Sequence, residues 1–225
     1  GMVHQGGIMA RFSTILFDLD GTISDPKSGI TKSVAYALDY LKIPYPSLDS
    51  LTVFIGPPLR DSFLDYGVKE RDVNTAIAKY REYYTNENGI FDLTVYAGFA
   101  GMLEKLKRAD KKIFLATCKV RSYAREILEH FSLAQYFDFI SGSELDGTRT
   151  SKSEVIAFAL EQTKTQASSE VIMVGDRKHD IIGAKDNKLQ VASVLYGYGS
   201  KEEFLEYKTD FIIDTVQNLE MFLLQ

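Results

Sequence analysis

Six short apolar runs, spaced by amphipathic stretches, constrain the fold of this chain more than any other feature. The runs at 13–17, 112–116, 137–140, 171–174, 191–195 and 211–213 are rich in β-branched and aromatic residues. Most lack the alternation of a strand with one wet face, so they read as strands covered on both sides. Between them, 99–108, 121–131, 152–162 and 181–187 repeat apolar residues at helical spacing. Strand and helix in alternation make βαβ units, and hence a parallel, Rossmann-like α/β sheet with helices on both faces. Ligands of such sheets bind beyond the carboxyl ends of the strands.

One interval breaks the alternation. Between 26 and 92 only helical patterns appear, at 30–41, at 57–66 behind Pro57 and Pro58, and at 70–84. A small all-helical cap domain inserted after the first strand explains the break. It also explains a length of 225 residues, above the roughly 100–150 of a common domain. The expected division is a core over 10–24 and 93–225 and a cap over 25–92, joined by hinges at Ser24-Asp25-Pro26 and 91–96. Closure of a lid on such hinges sheds water from a site. The tyrosines of the insert, Tyr80, Tyr83 and Tyr84, suit an interface, core packing or substrate stacking equally well. Residues 1–11 carry little pattern and do not enter the fold reasoning.

Composition narrows the function classes. A net charge of −5, with Lys and Arg scattered, gives no footprint for nucleic acid. No apolar run approaches the roughly 18–20 residues of a membrane span, and no signal-peptide pattern stands at the N-terminus, so a cytoplasmic enzyme is expected. The single cysteine, Cys118, excludes an internal disulfide and a multi-cysteine zinc site, and the three histidines lack metal-ligand spacing. An anionic substrate must therefore meet a local positive site.

The first strand ends in Phe17-Asp18-Leu19-Asp20-Gly21-Thr22. In extended chain Asp18 and Asp20 share a side while Leu19 faces the core, and Gly21 permits a sharp turn. Carboxylates crowded this closely repel unless a cation or proton sits between them, which points to Mg²⁺ or to acid/base chemistry. A plain Asp-Gly turn closing a buried strand is the bland alternative. The run 112–116 ends in Thr117-Cys118-Lys119, where a hydroxyl and free N–H groups can cradle a phosphate oxygen ahead of the helix at Arg121. Thr117 suits a helix N-terminal hydroxyl as well.

Lys152 opens a helix, where the dipole disfavours a cation. It either neutralises a carboxylate and a bound phosphate or is a solvated surface lysine. After 171–174, Gly175-Asp176-Arg177-Lys178-His179-Asp180 supplies a second acidic pair, with Asp180 about one helical turn beyond Asp176. Asp176 serves as a metal ligand, as a helix N-cap, or as both. Gly183 costs its helix about 1 kcal/mol relative to Ala and points to close packing on the sheet.

Taken in order, Asp18-Leu19-Asp20-Gly21-Thr22, Thr117, Lys152 and Gly175–Asp180 resemble the four motifs of the haloacid dehalogenase-like (HAD) hydrolase superfamily, from Phe12 onward. Tyr96-Ala97-Gly98, Gly56-Pro57-Pro58-Leu59 and Gly142-Ser143-Glu144-Leu145-Asp146-Gly147 resemble its phosphoglycolate phosphatase-like branch with an α-helical cap. The resemblance implies that Asp18 attacks phosphorus and Asp20 serves as acid, then base. It implies that Asp18, the Asp20 carbonyl and Asp176 hold Mg²⁺, with Asp180 behind them or bound through water. Thr117 and Lys152 would bind the phosphoryl group near the amides of Leu19 and Cys118, while Lys119 and Arg60 are candidates for the leaving group. Cys118 stands where many relatives carry Asn. The implied activity is a Mg²⁺-dependent phosphatase of small soluble phosphomonoesters such as phosphoglycolate, sugar phosphates or nucleoside monophosphates. A phosphomutase on the same core and a non-catalytic binding module are the alternatives. The expected partner is a small phosphorylated metabolite, with no nucleic acid and no membrane, and the chain a monomer or homodimer.

Overall fold

The computed structural model describes residues 2–4 and 12–225. In chain order its elements begin with β1 (Met2–His4), β2 (Thr14–Phe17), β3 (Ser24–Asp25), α1 (Lys27–Tyr40), α2 (Leu59–Tyr66) and α3 (Glu70–Asn86). There follow β4 (Thr94–Val95), α4 (Phe99–Arg108), β5 (Lys112–Val120), α5 (Arg121–His130), β6 (Phe139–Ser143) and α6 (Lys152–Gln162). The chain closes with β7 (Val171–Gly175), α7 (Lys178–Asp186), β8 (Gln190–Val194), α8 (Lys201–Glu206), β9 (Phe211–Ile213) and α9 (Val216–Leu223). It divides into two compact units, Gly1–Ser24 with Val95–Gln225, and Asp25–Thr94.

The larger unit is built on one sheet in the order β1-β9-β8-β7-β2-β5-β6. The six strands β9, β8, β7, β2, β5 and β6 pair in parallel. β1 joins β9 antiparallel, so Met2–His4, set aside in the sequence, is a strand. Helices cover both faces. Leu16, Phe114, Met173, Val191 and Ile212 pack with Val155 and Ile156 of α6, Ile181 of α7 and Phe204 of α8. Phe17, one residue on from Leu16 and therefore on the opposite face, meets Phe99 of α4 edge-on at 5.2 Å. Both neighbours in sequence are fully buried, which is why these strands read as unbroken apolar runs. In α4 the buried residues are Phe99, Met102, Leu103 and Leu106, a one-sided stripe, and Lys105, Lys107 and Arg108 complement the dipole at its end.

The chain order reverses at β2, which runs on to β5 on one side and is joined only later by β7 on the other. Such a switch point opens a crevice at the carboxyl ends of the strands. Phe17 pairs with Leu115 and with Val174, so Asp18 reaches the level of Ala116 and Gly175. β5 continues past its expected end to Val120 through an irregularity between Ala116 and Val120, which places Thr117, Cys118 and Lys119 on that distorted stretch.

At the sheet edge, β6 would present unpaired carbonyls. Arg121 Nε donates to the Ile140 carbonyl at 2.7 Å and Arg149 Nε to that of Gly142 at 3.2 Å. The two guanidiniums lie over Phe139 and Phe158, at 5.0 and 3.7 Å from the ring centroids.

The unit Asp25–Thr94 is helical, with α1 against α3 and two 3₁₀ turns at Asp49–Phe54 and Gly89–Phe91. Its core holds Val34, Leu38, Leu51, Phe54, Phe63 and Val73, with Phe54 and Phe63 in edge contact at 5.1 Å. Tyr80 and Tyr84 are buried there and stack on each other at 5.4 Å. Of the three roles open to them, core packing is therefore the one observed. Tyr83 packs on Tyr36.

Candidate active site

Three carboxylates converge at the crevice. Asp18 follows β2, Asp176 follows β7, and Asp180 lies in the first turn of α7; all are buried, and each offers an oxygen within 4.8 Å of the others. Asp180 Oδ2 accepts from the Asp176 and Arg177 N–H groups at 3.0 and 3.1 Å. These donors lie at the helix start, where backbone N–H groups lack helical partners. The N-cap position is thus Arg177, and Asp180, rather than Asp176, reaches back to satisfy it. Asp176 is free to turn its own carboxylate toward Asp18, with Oδ2 accepting from Tyr198 N–H at 2.8 Å.

Lys152 is the counter-charge. It is the first residue of α6, behind Ser151, which forms a capping box with Glu154. Far from being a solvated surface lysine, it is 3% exposed. Its Nζ donates to Asp18 Oδ1 at 2.8 Å and to the Ala116 carbonyl at 2.9 Å, and stands 3.0 Å from Asp180 Oδ1 in an ion pair. Gly183 makes this reach possible. A Cβ there would stand 2.9 Å from Lys152 Cγ and 3.1 Å from Ile156 Cδ1. The close packing expected of Gly183 is therefore against α6 and not against the sheet.

Asp20 is buried beside this cluster, with Oδ2 3.3 Å from Lys119 Nζ in an ion pair whose side chains are 9% and 7% exposed. Thr117 is buried and its hydroxyl accepts from Lys119 N–H at 3.0 Å. Cys118 is half-buried and its carbonyl accepts from the Ser143 hydroxyl. The Leu19 amide donates to Asp18 Oδ1 at 2.8 Å. Arg60 belongs to α2 of the helical unit, where it donates to Asn74 Oδ1 at 3.0 Å and approaches Glu70 at 3.9 Å.

Charge crowding sets the proton affinities. Burial, with Asp180 and Asp20 nearby, lifts Asp18 from 3.8 to about 7 against the pull of Lys152. Burial and the charges of Asp18 and Asp180 push Asp176 well above the carboxylate range, against the Tyr198 N–H. Burial also pushes Asp180 upward, but Lys152, His179 and the Arg177 N–H outweigh it and hold Asp180 below its ordinary value. For Lys152, burial is overcome by Asp18 and Asp180, and the ammonium is held well above 10.5. Asp18 and Asp176 are thus two acids whose ionisation the protein opposes until another positive charge arrives.

The residues fit a hard divalent cation. All side-chain donors are carboxylate oxygens, the ligand type of Mg²⁺ and Ca²⁺. Asp18 Oδ2 is buried and accepts no hydrogen bond among the described residues. The Asp20 side chain does not belong to the three-carboxylate group; it faces Lys119. Among the functional side of this crevice, Tyr198 was not legible as a contributor, since it acts through a backbone N–H that any residue type carries.

Residues 15–194 match the haloacid dehalogenase-like hydrolase family. The chain belongs to that family. It is 43% identical over 194 residues to a 5'-nucleotidase of Pseudomonas aeruginosa, across 86% of this chain and 87% of that protein. It is 34% identical over 203 residues to the tyrosine-protein kinase PtkA of Mycobacterium tuberculosis, across 88% of this chain and 67% of that protein. Among solved structures, a predicted phosphatase from Clostridium acetobutylicum superposes with a TM-score of 0.90 at 41% identity, covering 94% of this chain and 98% of the other. As a haloacid dehalogenase-like hydrolase the protein is an enzyme, and several of its relatives carry phosphatase names. No helix among the described residues is long and apolar enough to cross a membrane.

Proposed function

We propose that this haloacid dehalogenase-like hydrolase is a Mg²⁺-dependent phosphatase of small phosphomonoesters that works through an aspartyl-phosphate. The observation that carries the reading is Asp18: one oxygen is held by Lys152 and the Leu19 amide, while the other is buried beside Asp176 with no hydrogen-bond partner among the described residues. A carboxylate oriented through one oxygen presents the second as a nucleophile.

In this reading Asp18 Oδ2 bonds to phosphorus as the ester oxygen leaves, and Asp20 gives that oxygen its proton. Asp20 then takes a proton from the water that hydrolyses the acyl phosphate, returning Asp18 to its starting state. Lys152 neutralises the nucleophile before attack and the phosphoryl oxygens during transfer, and the Thr117 hydroxyl donates to the same group. Lys119, paired with Asp20, brings a second ammonium to the acid/base side. Asp18, Asp176 and Asp180, with the Asp20 carbonyl, would hold Mg²⁺, which supplies charge neutralisation of the phosphoryl group when bound.

The division into a catalytic core over 10–24 and 93–225 and a helical cap over 25–92 belongs to the same proposal, with substrate choice given to cap side chains, Arg60 among them. Residues 10 and 11 lie outside the described residues. Among candidate substrates, nucleoside monophosphates come first because the 43% identical relative is named for that activity, ahead of sugar phosphates and phosphoglycolate. The test is phosphate release from a panel of phosphorylated metabolites with and without Mg²⁺. Release from at least one monoester, abolished by a chelator, is expected. Activity indifferent to the chelator, or isomerisation dependent on a bisphosphate activator with no phosphate release, would count against it.

A further inference from the structure

The segment after β8, residues 196–199, reads Tyr-Gly-Tyr-Gly and contains no charged group. It nevertheless touches Asp176 of the carboxylate cluster and the turn that follows Asp20. Tyr198 N–H donates to Asp176 Oδ2 at 2.8 Å. Two residues earlier, the Tyr196 hydroxyl donates at 2.7 Å to the carbonyl of Thr22, in the turn that follows Asp20. The Tyr196 ring is held in place by Tyr96, edge to face at 4.7 Å, and Tyr96 N–H in turn donates to the Ile23 carbonyl at 3.0 Å.

The glycines of this region show how tightly the pieces are fitted. A Cβ on Gly197 would lie 2.2 Å from the Gly21 carbonyl oxygen and 2.5 Å from Asp176 Cβ. One on Gly21 would lie 2.1 Å from Asp176 Oδ2, and one on Gly199 2.1 Å from the Asp176 carbonyl oxygen. Bare backbone from 196–199 therefore fills the space between the turn after β2 and the residue after β7. Strand pairing fixes Asp18, whose N–H donates to the Val174 carbonyl at 2.9 Å, but Asp176 lies past Gly175, the last residue of β7, where no strand pairing holds it.

We propose that residues 196–199 are the positioning element of the metal site, with Tyr196 and Gly197 fixing the distance across which Asp18 and Asp176 share a cation. The inference rests on the metal reading above and adds to it a determinant that carries no ligand atom. Two repelling carboxylates would spread apart in a looser frame. Tyr196 prevents this by anchoring the 21–23 turn, and Tyr198 by anchoring Asp176.

The experiment measures Mg²⁺ and Mn²⁺ binding by titration calorimetry, and Mn²⁺ binding by electron paramagnetic resonance, on the full chain. It compares wild type, Tyr196→Phe, Gly197→Ala and the control Gly101→Ala, whose Cβ meets nothing within 4 Å. Outer partners of metal ligands commonly carry about 10- to 100-fold in affinity, so Tyr196→Phe should bind about tenfold more weakly and Gly197→Ala more weakly still. Gly101→Ala should match wild type. The Tyr196→Phe defect should appear as a higher Mg²⁺ requirement with kcat restored at saturating Mg²⁺, a split that general loss of structure does not produce. Wild-type affinity in Tyr196→Phe would overturn the inference, and so would a loss of kcat that no Mg²⁺ concentration restores. If Gly197→Ala fails to fold, Tyr196→Phe still decides the matter. A wild-type protein that binds the cation but releases no phosphate would refute the phosphatase reading while leaving the affinity comparison intact; one that binds no cation would refute both.

Discussion

Adding Mg²⁺ to the metal-free protein at neutral pH should expel protons, and the amount follows from the site. Asp18 is raised from 3.8 to about 7, so at pH 7 roughly half of the molecules carry a proton there, at pH 6 about nine-tenths, and at pH 8 about one-tenth. Asp176 is also held well above the ordinary carboxylate range by burial and by the charges of Asp18 and Asp180, and contributes up to one more. A cation held by both carboxylates requires them ionised, so binding at pH 7 should release about 0.5 to 1.5 protons. Titration of Mg²⁺ at pH 7 in two buffers of different ionisation enthalpy, PIPES and Tris, reads this directly as a difference in apparent heat. Through Asp18 alone the apparent affinity should be halved at pH 7 and fall about a hundredfold at pH 5. The sign for stability is the reverse of the usual carboxylate case. With its folded value above its unfolded one, Asp18 binds more proton in the folded state between about pH 4 and 7, so its own contribution to metal-free stability falls as pH rises through that window, opposed there by His179, which burial lowers from 6.5 to about 4. The loss is at most about 4 kcal/mol. Equal heats in both buffers, or a metal-free melting temperature whose pH dependence is unchanged by Asp18→Asn, would refute the reasoning.

The remaining predictions concern single residues. Asp18→Asn should abolish phosphate release, keep the circular dichroism of the wild type, and leave the metal-free melting temperature equal or higher, because a disfavoured charge is gone; near-normal turnover would end the nucleophile assignment. Asp176→Ala should lose activity through weaker metal binding and regain part of it at high Mg²⁺, and unchanged activity at limiting Mg²⁺ would contradict the ligand role. Lys152→Met should cost about 3 kcal/mol or more in urea unfolding, since it leaves Asp18 and Asp180 buried without their counter-charge. A change below about 1 kcal/mol would show that the ion pairs matter little.

Much of this was legible in the sequence because the signals were local. The apolar runs became the core strands, and α4 and α6 span the residues that their periodicity marked, Phe99–Arg108 and Lys152–Gln162. Lys152 drew notice because its position opposes the helix dipole, and the structure shows the compensating carboxylates. Short elements escaped: α8 has six residues, too few for a periodic pattern to emerge, and β1 is three residues long on the antiparallel edge. Gly183 was read against the wrong neighbour because one helical residue does not announce whether a strand or another helix lies opposite. The segment 196–199 gave no chemical signal at all, since its contributions are a phenol, an N–H group and the absence of side chains.

Arg121 and Arg149, which bond the β6 carbonyls, have a consequence for how copies of this protein can meet. With the Ile140 and Gly142 acceptors already occupied, a foreign strand approaching that flank finds no open ladder to join. Self-association through sheet continuation is closed off at that flank, which leaves the opposite edge, β1, as the other strand edge of the sheet. Stripping both guanidiniums would uncover a templating row, so the double variant should self-associate as its concentration rises while its unaltered parent stays dispersed.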